Sequence, residues 1–494
     1  MENTLKKKTR KFVDYETFNL NDTINYHLMP FKFHRLNNGK ELIVNEVGDY
    51  LVVEDGTVNK IVNRKINKVD DLDLYADLVS NFFISEEKIS PLIDVLATRY
   101  RTKKHFLNYF TGLHIFVVSL RCEHTCQYCQ VSRVTQDKDK FDMSYEYLDK
   151  GIDIMFKSPN PHLTMEFQGG EALLAFDKIQ YSVLKAKRIA EEKERKLTIV
   201  ICTNLAIVND EILMFCKEHN ILISTSLDGP KFIHDKNRHK PHASSYDLTI
   251  QGINKAREIL GEDQVSALMT TTTLSLDYPK EIVDEYINMG FEGIFLRNIS
   301  PYGFALRSKT SKYDTEKFLE FYKIALDHIL EYNFQGKNFR EDLASIFLTK
   351  ILTPFNVGYV DLQSPAGLIT GVIVFNYDGD VFATDESRML AEQKDYTFKL
   401  GTLNNSYEDI FFGEKVEKIT EVWANEGLTG CSECALQSYC GADPVHNHAT
   451  QGNMYGYRPT SDFCKKNMAI ITYLIELMES NQEVKKIFES WIRF

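Results

Sequence analysis

The chain has 494 residues, with 58 basic and 70 acidic side chains and a formal charge of −12. At roughly 150 residues per domain, that length predicts about three domains. Hydrophobic residues make up 43%, which supplies buried cores and excludes a globally disordered chain. An acidic chain matches polyanions poorly, so non-specific nucleic-acid and anionic-membrane binding are disfavoured. No stretch approaches about 18 uninterrupted apolar residues, so no transmembrane helix is expected. The basic opening Met1–Lys11 is not followed by an apolar stretch, which speaks against a secretory signal and for the cytoplasm. There, clustered cysteines point to metal ligation or catalysis rather than disulfides.

Residues 28–56 alternate short apolar runs with the turn signals Met29-Pro30, Asn37-Asn38-Gly39, Gly48-Asp49 and Asp55-Gly56, which predicts small strands and hairpins. Residues 70–110 read as mostly helical. A regular alternation follows from 114 to 301. Its candidate strands are 114–120, 163–168, 197–204, 221–227, 265–273 and 293–299. Amphipathic stretches lie between them near 144–157, 177–193, 209–219, 246–260 and 279–289. Six successive β/α units predict a parallel sheet, either open or closed into a barrel, with the chemistry at the carboxyl ends of its strands. Residues 305–360 read as helical with a break at Pro354, 368–384 as a hairpin turning at Asp378-Gly379, and 467–492 as a final helix. The predicted organisation is α/β: a small α+β domain over 1–110, the β/α core over 111–305, a helical connection over 306–360, and a C-terminal domain over 361–494.

Seven of the nine cysteines fall in two groups. Cys122, Cys126 and Cys129 form C-x3-C-x2-C directly after the first candidate strand. Cys431, Cys434 and Cys440 form C-x2-C-x5-C, with Cys464 further on. Cys202, in an apolar run, and Cys216, in a helix-like segment, read as inert core residues. Three thiolates within eight residues can wrap one face of an iron–sulfur cube and leave one iron open. A zinc site with His124 as fourth ligand is the rival, although His124 lies between two cysteines, where a shared tetrahedron is awkward. His124 otherwise reads as a solvated loop residue or an outer donor.

C-x3-C-x-aromatic-C after the first strand of a β/α array, with Tyr128 as the aromatic, resembles the radical SAM superfamily. The resemblance implies a partial (β/α)6 barrel in which Cys122, Cys126 and Cys129 hold a [4Fe–4S] cluster. Its open iron would chelate S-adenosylmethionine, with Tyr128 near the adenine. Gln168-Gly169-Gly170-Glu171 resembles the family's Gly-Gly-Glu motif, which meets the methionine amino group; glycines admit a ligand closely and a carboxylate suits an ammonium. Ser224-Thr225-Ser226-Leu227-Asp228-Gly229-Pro230 is similar to a segment of the peptide-modifying subgroup, in which Ser226 and Asp228 would line the ribose region. Arg238 would serve a cofactor or substrate carboxylate, or form a surface ion pair. Asn204 is a cofactor-binding candidate whose plainer reading is a helix cap or turn residue.

The second cysteine group resembles the C-terminal SPASM extension of radical SAM peptide maturases, which normally binds two auxiliary clusters. Ser364-Pro365-Ala366-Gly367, Thr384 and Pro444 stand where three cysteines of the first auxiliary cluster would be. Cys431, Cys434, Cys440 and Cys464 match the second, so the resemblance implies one auxiliary [4Fe–4S] cluster. A four-cysteine zinc site is the alternative, with His446 and His448 as further ligands or as loop residues near the active site. Asp385 matches a general base of sulfatase-maturating relatives; otherwise it is a polar hairpin residue.

Tyr26–Phe33, Leu42–Gly48, Cys129-Gln130-Val131-Ser132-Arg133, Met165–Glu171 and Thr384–Leu390 together resemble the His-Xaa-Ser system radical SAM maturases, HxsB. The resemblance implies a ribosomally made peptide or protein substrate with His-Xaa-Ser repeats, an electron donor such as flavodoxin or ferredoxin, and a second radical SAM maturase as partner. The competing readings are a sulfatase-type maturase that forms formylglycine and a non-catalytic metal-binding scaffold. The strand-then-helix order of the N-terminal domain resembles small leader-peptide recognition elements; otherwise the domain caps the barrel.

Overall fold

The computed structural model describes residues 26–87, 91–130, 134, 136–306 and 312–492; Met1–Lys11 and Val131–Arg133, used above, lie outside them. The chain forms two compact units, one ending at Tyr100 and the other starting at Arg101. In the first, Phe31–Arg35, Glu41–Asn45 and Tyr50–Val53 make an antiparallel meander. Its turns fall on glycines with left-handed backbone, Gly39 (φ 85°) and Gly48 (φ 92°), which is why the turn signals were readable. Helices Thr57–Val62 and Leu72–Ser80 follow, and Tyr26, Ile43, Ile61, Tyr75 and Phe83 fill the core. The stretch expected to be mostly helical is interrupted: Ile84–Ser85 pairs as a short strand with His27–Leu28.

The second unit is built on one eight-stranded sheet. Its strands are β1 (Leu113–Ser119), β2 (His162–Gly169), β3 (Lys196–Cys202), β4 (Leu222–Ser226), β5 (Val265–Leu268), β6 (Val372–Phe375), β7 (Asp380–Phe382) and β8 (Lys399–Thr402). The order is β5-β4-β3-β2-β1-β6-β7-β8, parallel from β5 to β6 and antiparallel beyond. Helices Tyr145–Met155, Phe176–Glu192, Asp210–His219, Ser245–Leu260 and Pro279–Asn288 stand in the expected places.

Strand periodicity sorts the two faces. Along β2, Leu163, Met165 and Phe167 are buried with helical residues such as Ile179 and Val183, whereas Thr164, Glu166 and Gln168 are half-open. Along β4, Ile223 and Thr225 are buried, whereas Ser224 and Ser226 are half-open. One face therefore carries the apolar core and the other presents polar side chains along the inner side of the partial barrel.

The sixth strand departs from expectation. Only Gly293–Ile294 is regular, and it pairs with Arg340–Glu341 rather than with β5. The N–H of Leu296, which a neighbouring strand would otherwise bind, donates to Glu341 Oε1 (3.0 Å). The segment rejoins the barrel one step later, where Thr271 N donates to Arg297 O (2.9 Å) and Thr271 bridges Asn298. β5 is correspondingly shorter than the expected 265–273.

Beyond the core, helices Thr315–Phe334 and Asp342–Leu352 fill the connection, the second ending before Pro354. The expected hairpin forms β6 and β7, with Gly379 at φ 84°, and β6 extends the barrel sheet by pairing with β1. The final helix is two helices, Asp462–Ser480 and Gln482–Ser490. Asn481 separates them with extended backbone (φ −147°), its side chain accepting from Glu483 N (2.9 Å) to start the second. No helix among the described residues is long and apolar enough to cross a membrane.

Glu341 holds the sixth segment. It is buried, and besides Leu296 N it accepts from Ala344 N (2.6 Å) and Tyr322 Oη (2.6 Å). Glu341→Ala leaves those donors unmatched and should destabilise the second unit by about 2–4 kcal/mol in denaturant titrations. Burial pushes the folded carboxyl up to about 7, so it keeps its proton in the folded state at pH values where the unfolded chain has lost it. Its contribution is therefore full below the unfolded value and is lost as pH rises through about 7. Glu341→Gln should flatten that part of the stability profile relative to the unaltered chain.

Candidate functional site

The cysteine loop leaves the carboxyl end of β1 and is clamped at both ends. Arg121 donates from Nε and Nη2 to Asp142 (2.6 and 2.7 Å) and from Nη2 to Leu174 O (2.7 Å). Thr125 N donates to His239 O (2.7 Å) and Gln127 N to Asn237 O (3.3 Å). Cys122, Cys126 and Cys129 are all partly exposed on this loop.

Gly169 and Gly170 lie against the backbone of the cysteine loop. A Cβ at Gly169 would lie 2.1 Å from Ser119 O, and one at Gly170 would lie 2.4 Å from Arg121 O. The close approach is to the chain's own backbone. It lets Gly170 N donate to Ser119 O (2.8 Å) and Glu171 N to Arg121 O (2.7 Å), fixing the loop on the end of β2.

Glu171 is also spoken for. It accepts from Thr203 Oγ1 (2.6 Å), Asn204 N (2.8 Å) and Leu173 N (3.0 Å), and is only 1% exposed. Burial raises its carboxyl, and Glu123 adds to the rise. It ties β2 to the end of β3. Asn204 is the turn residue of the plainer reading, its Oδ1 accepting from Ala206 N (2.8 Å), and its Nδ2 donates to Glu123 Oε1 (2.9 Å). His124 is buried rather than solvated. Nδ1 meets Glu123 (3.0 Å) and Nε2 meets Ser245 Oγ (2.8 Å), so neither ring nitrogen is left for zinc, although the Cys122, Glu123 and His124 donor atoms lie within 4.8 Å of one another. Glu123 Oε2 is buried without a partner, an oxygen that a ligand ammonium or a water would satisfy.

Tyr128, Asp228 and Arg238 form one buried network. Asp228 is fully buried, accepting from Tyr128 Oη (2.7 Å), Arg238 Nε (3.1 Å) and Thr270 N (3.2 Å). The Arg238 guanidinium also lies 5.5 Å from the Tyr128 ring centre. Asp228 thus positions the aromatic of the cysteine motif, and Arg238 pairs with this buried carboxylate rather than with a surface one. Ser226 remains half-open at the end of β4.

Asp385 lies in the first turn of helix Asp385–Ala391, behind a Thr384–Ser387 capping box, rather than in the hairpin. Its Oδ1 accepts from Arg388 Nε (3.1 Å). It lies within electrostatic reach of Glu166 on β2 and the Cys202 thiol on β3, where burial raises both groups. Cys202 is accordingly no core cysteine. Its thiol donates to Glu166 Oε1 (3.5 Å) on the polar inner face, whereas Cys216 does lie in the apolar core. Glu166 was missed in the sequence; its signal was a polar residue at an inward position of β2. Two of the positions where the resemblance expects cysteine, Thr384 and Pro444, line a cavity of about 600 Å³.

Cys431, Cys434, Cys440 and Cys464 come within electrostatic reach of one another. Burial first, and then their neighbours, push the Cys431 thiol up to about 12 and the Cys464 thiol to about 11. Cys464 sits in the first turn of its helix, where Ser461 Oγ accepts from its N–H (3.3 Å). Asn467 Nδ2 donates to Cys440 Sγ (3.7 Å), the kind of contact that tunes an iron–sulfur cluster. Buried Lys350 donates to Cys440 O (2.7 Å) and Leu362 O. His446 and His448 stand on helix Pro444–Gln451, not on a loop, and His448 Nε2 meets Asp395 (2.7 Å).

The structure thus sets three part-open thiols on one loop, and Cys431, Cys434, Cys440 and Cys464 within electrostatic reach of one another. Gly170→Ala should displace the cysteine loop from β2. Iron bound at the first site should fall by at least about half, read by iron analysis of Gly170→Ala against the unaltered chain, while the second site keeps its metal.

Residues 116–286 match the model of the Radical SAM superfamily. A serine-type anaerobic sulfatase-maturating enzyme of Bacteroides thetaiotaomicron is 32% identical over 185 residues, 35% of this chain and 42% of that enzyme. The chain spans between 42% and 65% of the length of the first curated relatives it matches. Among solved structures, the sulfatase maturase anSMEcpe with bound AdoMet covers 77% of this chain and 100% of its own, at 17% identity and a TM-score of 0.60. Streptococcus suis SuiB bound to its precursor peptide SuiA covers 89% and 100%, at 13% identity and a TM-score of 0.52. These two likenesses are likenesses of fold. Residues 116–286 thus form a domain of the Radical SAM superfamily, joined in one chain to a cysteine-bearing C-terminal region.

Proposed function

We propose that the protein is a peptide-modifying maturase that binds a [4Fe–4S] cluster at Cys122, Cys126 and Cys129, S-adenosylmethionine beside it, and one auxiliary [4Fe–4S] cluster at Cys431, Cys434, Cys440 and Cys464. The observation that carries this reading is the juxtaposition of three part-open thiols, at the carboxyl end of β1, with a polar inner barrel face. When bound, the cluster and S-adenosylmethionine supply a 5′-deoxyadenosyl radical able to remove hydrogen from a peptide side chain or backbone. The chain's own residues hold and orient. Arg121 and Asp142 fix the loop, Asp228 fixes Tyr128, and Asn204 and Ser226 stand half-open at the ends of β3 and β4. Asp385 is the group positioned to take a proton from the substrate, held by Arg388 beside Glu166 and Cys202. The substrate proposed is a ribosomally made His-Xaa-Ser precursor. The strand-then-helix unit ending at Tyr100 is assigned to its recognition. A formylglycine-forming sulfatase maturase is the second reading, favoured by the similarity to the Bacteroides enzyme and disfavoured by Ser364, Thr384 and Pro444.

Reduced, reconstituted protein should release 5′-deoxyadenosine from S-adenosylmethionine and carry about eight irons, four for each cysteine set. Cys126→Ala should abolish the release and keep about four irons. Cleavage by that variant, or stoichiometric zinc with about four irons in the unaltered chain, would contradict the assignment of the corresponding site.

Asp385→Asn separates radical generation from proton removal. Deoxyadenosine release should stay within about threefold, while modification of a co-expressed precursor, followed by mass spectrometry, should drop by about 10²–10⁴-fold. Equal loss of both would assign Asp385 to the cofactor side instead.

A further inference from the structure

The cavity of about 600 Å³ lies between the two cysteine groups. One wall runs through residues 295–302, and there Ser300 O accepts from Gln130 Nε2 (3.1 Å), next in sequence to Cys129. Gly303 continues that wall so close to the loop that a Cβ would lie 2.2 Å from Gln130 O. The opposite wall carries Asp443, just past Cys440, and Asn467, whose Nδ2 reaches Cys440 Sγ.

Its inner charges do not cancel. Asp361, Glu386 and Asp443 face Arg297 and Lys466, while the exposed rim carries two lysines against two aspartates. Neither inner cation closes on a carboxylate. Arg297 Nη2 stays 3.9 Å from Glu386 Oε1, and Lys466 Nζ donates to Asn298 Oδ1 (2.7 Å). Burial, with Asp361 adding to it, pushes the Asp443 carboxyl up to about 7 and raises Glu386 as well, so the pair carries its full negative charge only on the alkaline side. On the same wall His446 Nε2 is sealed from solvent without a hydrogen-bond partner. Phe295, Tyr302 and Tyr359 supply aromatic surface, which suits a cation as well as an apolar stem.

We propose that this cavity receives a positively charged nitrogen side chain of the peptide substrate — ammonium or guanidinium — between Asp361, Glu386 and Asp443, beside the radical-generating loop. The proposal deepens the maturase reading and rests on it for the peptide, but its test needs no cofactor cleavage. Full-length protein with both metal sites reconstituted, without S-adenosylmethionine, is titrated at pH 9, where both carboxyls are ionised, with N-acetyl Gly-X-Gly amides in which X is Lys, Arg, norleucine or Glu. Binding is followed by ligand-observed NMR. The cationic peptides should bind at least about tenfold more tightly than norleucine, and Glu least. Glu386→Gln combined with Asp443→Asn should remove most of that preference and leave norleucine binding unchanged. Equal binding of Lys and norleucine, preference for Glu, or an unaltered Lys preference in the variant overturns the proposal. Iron content and unfolding temperature check the fold of the double variant, and if it fails that check the series on the unaltered chain and on Glu386→Gln alone decides. Protein that cleaves S-adenosylmethionine without discriminating among the peptides sinks the cavity assignment alone. Discrimination without cleavage sinks the maturase reading alone.

Discussion

The carbonyls of Ser119 and Arg121 occupy the space that side chains at 169 and 170 would need. Two glycines are therefore the condition for the cysteine loop to lie on the end of β2. Once it lies there, two backbone hydrogen bonds extend the sheet into the loop and carry Glu171 inward to Thr203 and Asn204. Asn204 reaches back to Glu123, beside Cys122. The first three strands and the cysteine loop thus share one closed polar circuit, in which the low local dielectric strengthens each bond and makes any broken one costly. Loop position and strand ends are one constraint.

The same logic separates residues that hold from residues that are open. Asp142 meets Arg121, and Asp228 meets Arg238; both carboxylates are buried or nearly so and matched by a guanidinium. Bidentate or multiply bonded pairs of this kind fix geometry more than they add stability. They set the direction of Tyr128 and of the loop, leaving the thiols and the half-open ends of β3 and β4 for chemistry.

Much of this was legible in the sequence where a local signal existed. The alternation of apolar runs gave five barrel strands and five helices, because strand and helix periods differ and the turns carry Gly, Asn and Asp. Spacing alone gathered the cysteines. Roles were less legible than positions. Glu171, Asp228 and Arg238 carry the expected motifs, yet burial and partners make them supports, and burial depends on residues such as Thr203 and Thr270 far along the chain. The pairing of β6 with β1 was equally hidden, since more than 250 residues separate Val372 from Leu113 and nothing local marks the contact. The sixth strand misled for the opposite reason: its apolar run is real, but Glu341 captures the Leu296 N–H and ends the ladder.

The unmatched charges tell most about where a ligand belongs. Arg388 is fully buried, engages Asp385 through Nε alone, and leaves Nη1 and Nη2 without hydrogen-bond partners. Two residues before it, Glu386 is raised by burial, by Asp361 and by Asp385 itself. Hydrophobic replacements would bury more favourably at all of these positions. Around the cysteine loop Asp142 and Asp228 meet guanidinium partners closely, whereas Arg297 stays 3.9 Å from Glu386 and Arg388 leaves both Nη atoms unmatched. Glu386 and Asp443 line a cleft, and perturbed ionisable groups in a cleft mark a functional site. Loose pairing there, beside the close guanidinium pairs that hold the loop, divides the molecule into a part that must stay fixed and a part whose polar groups await a partner.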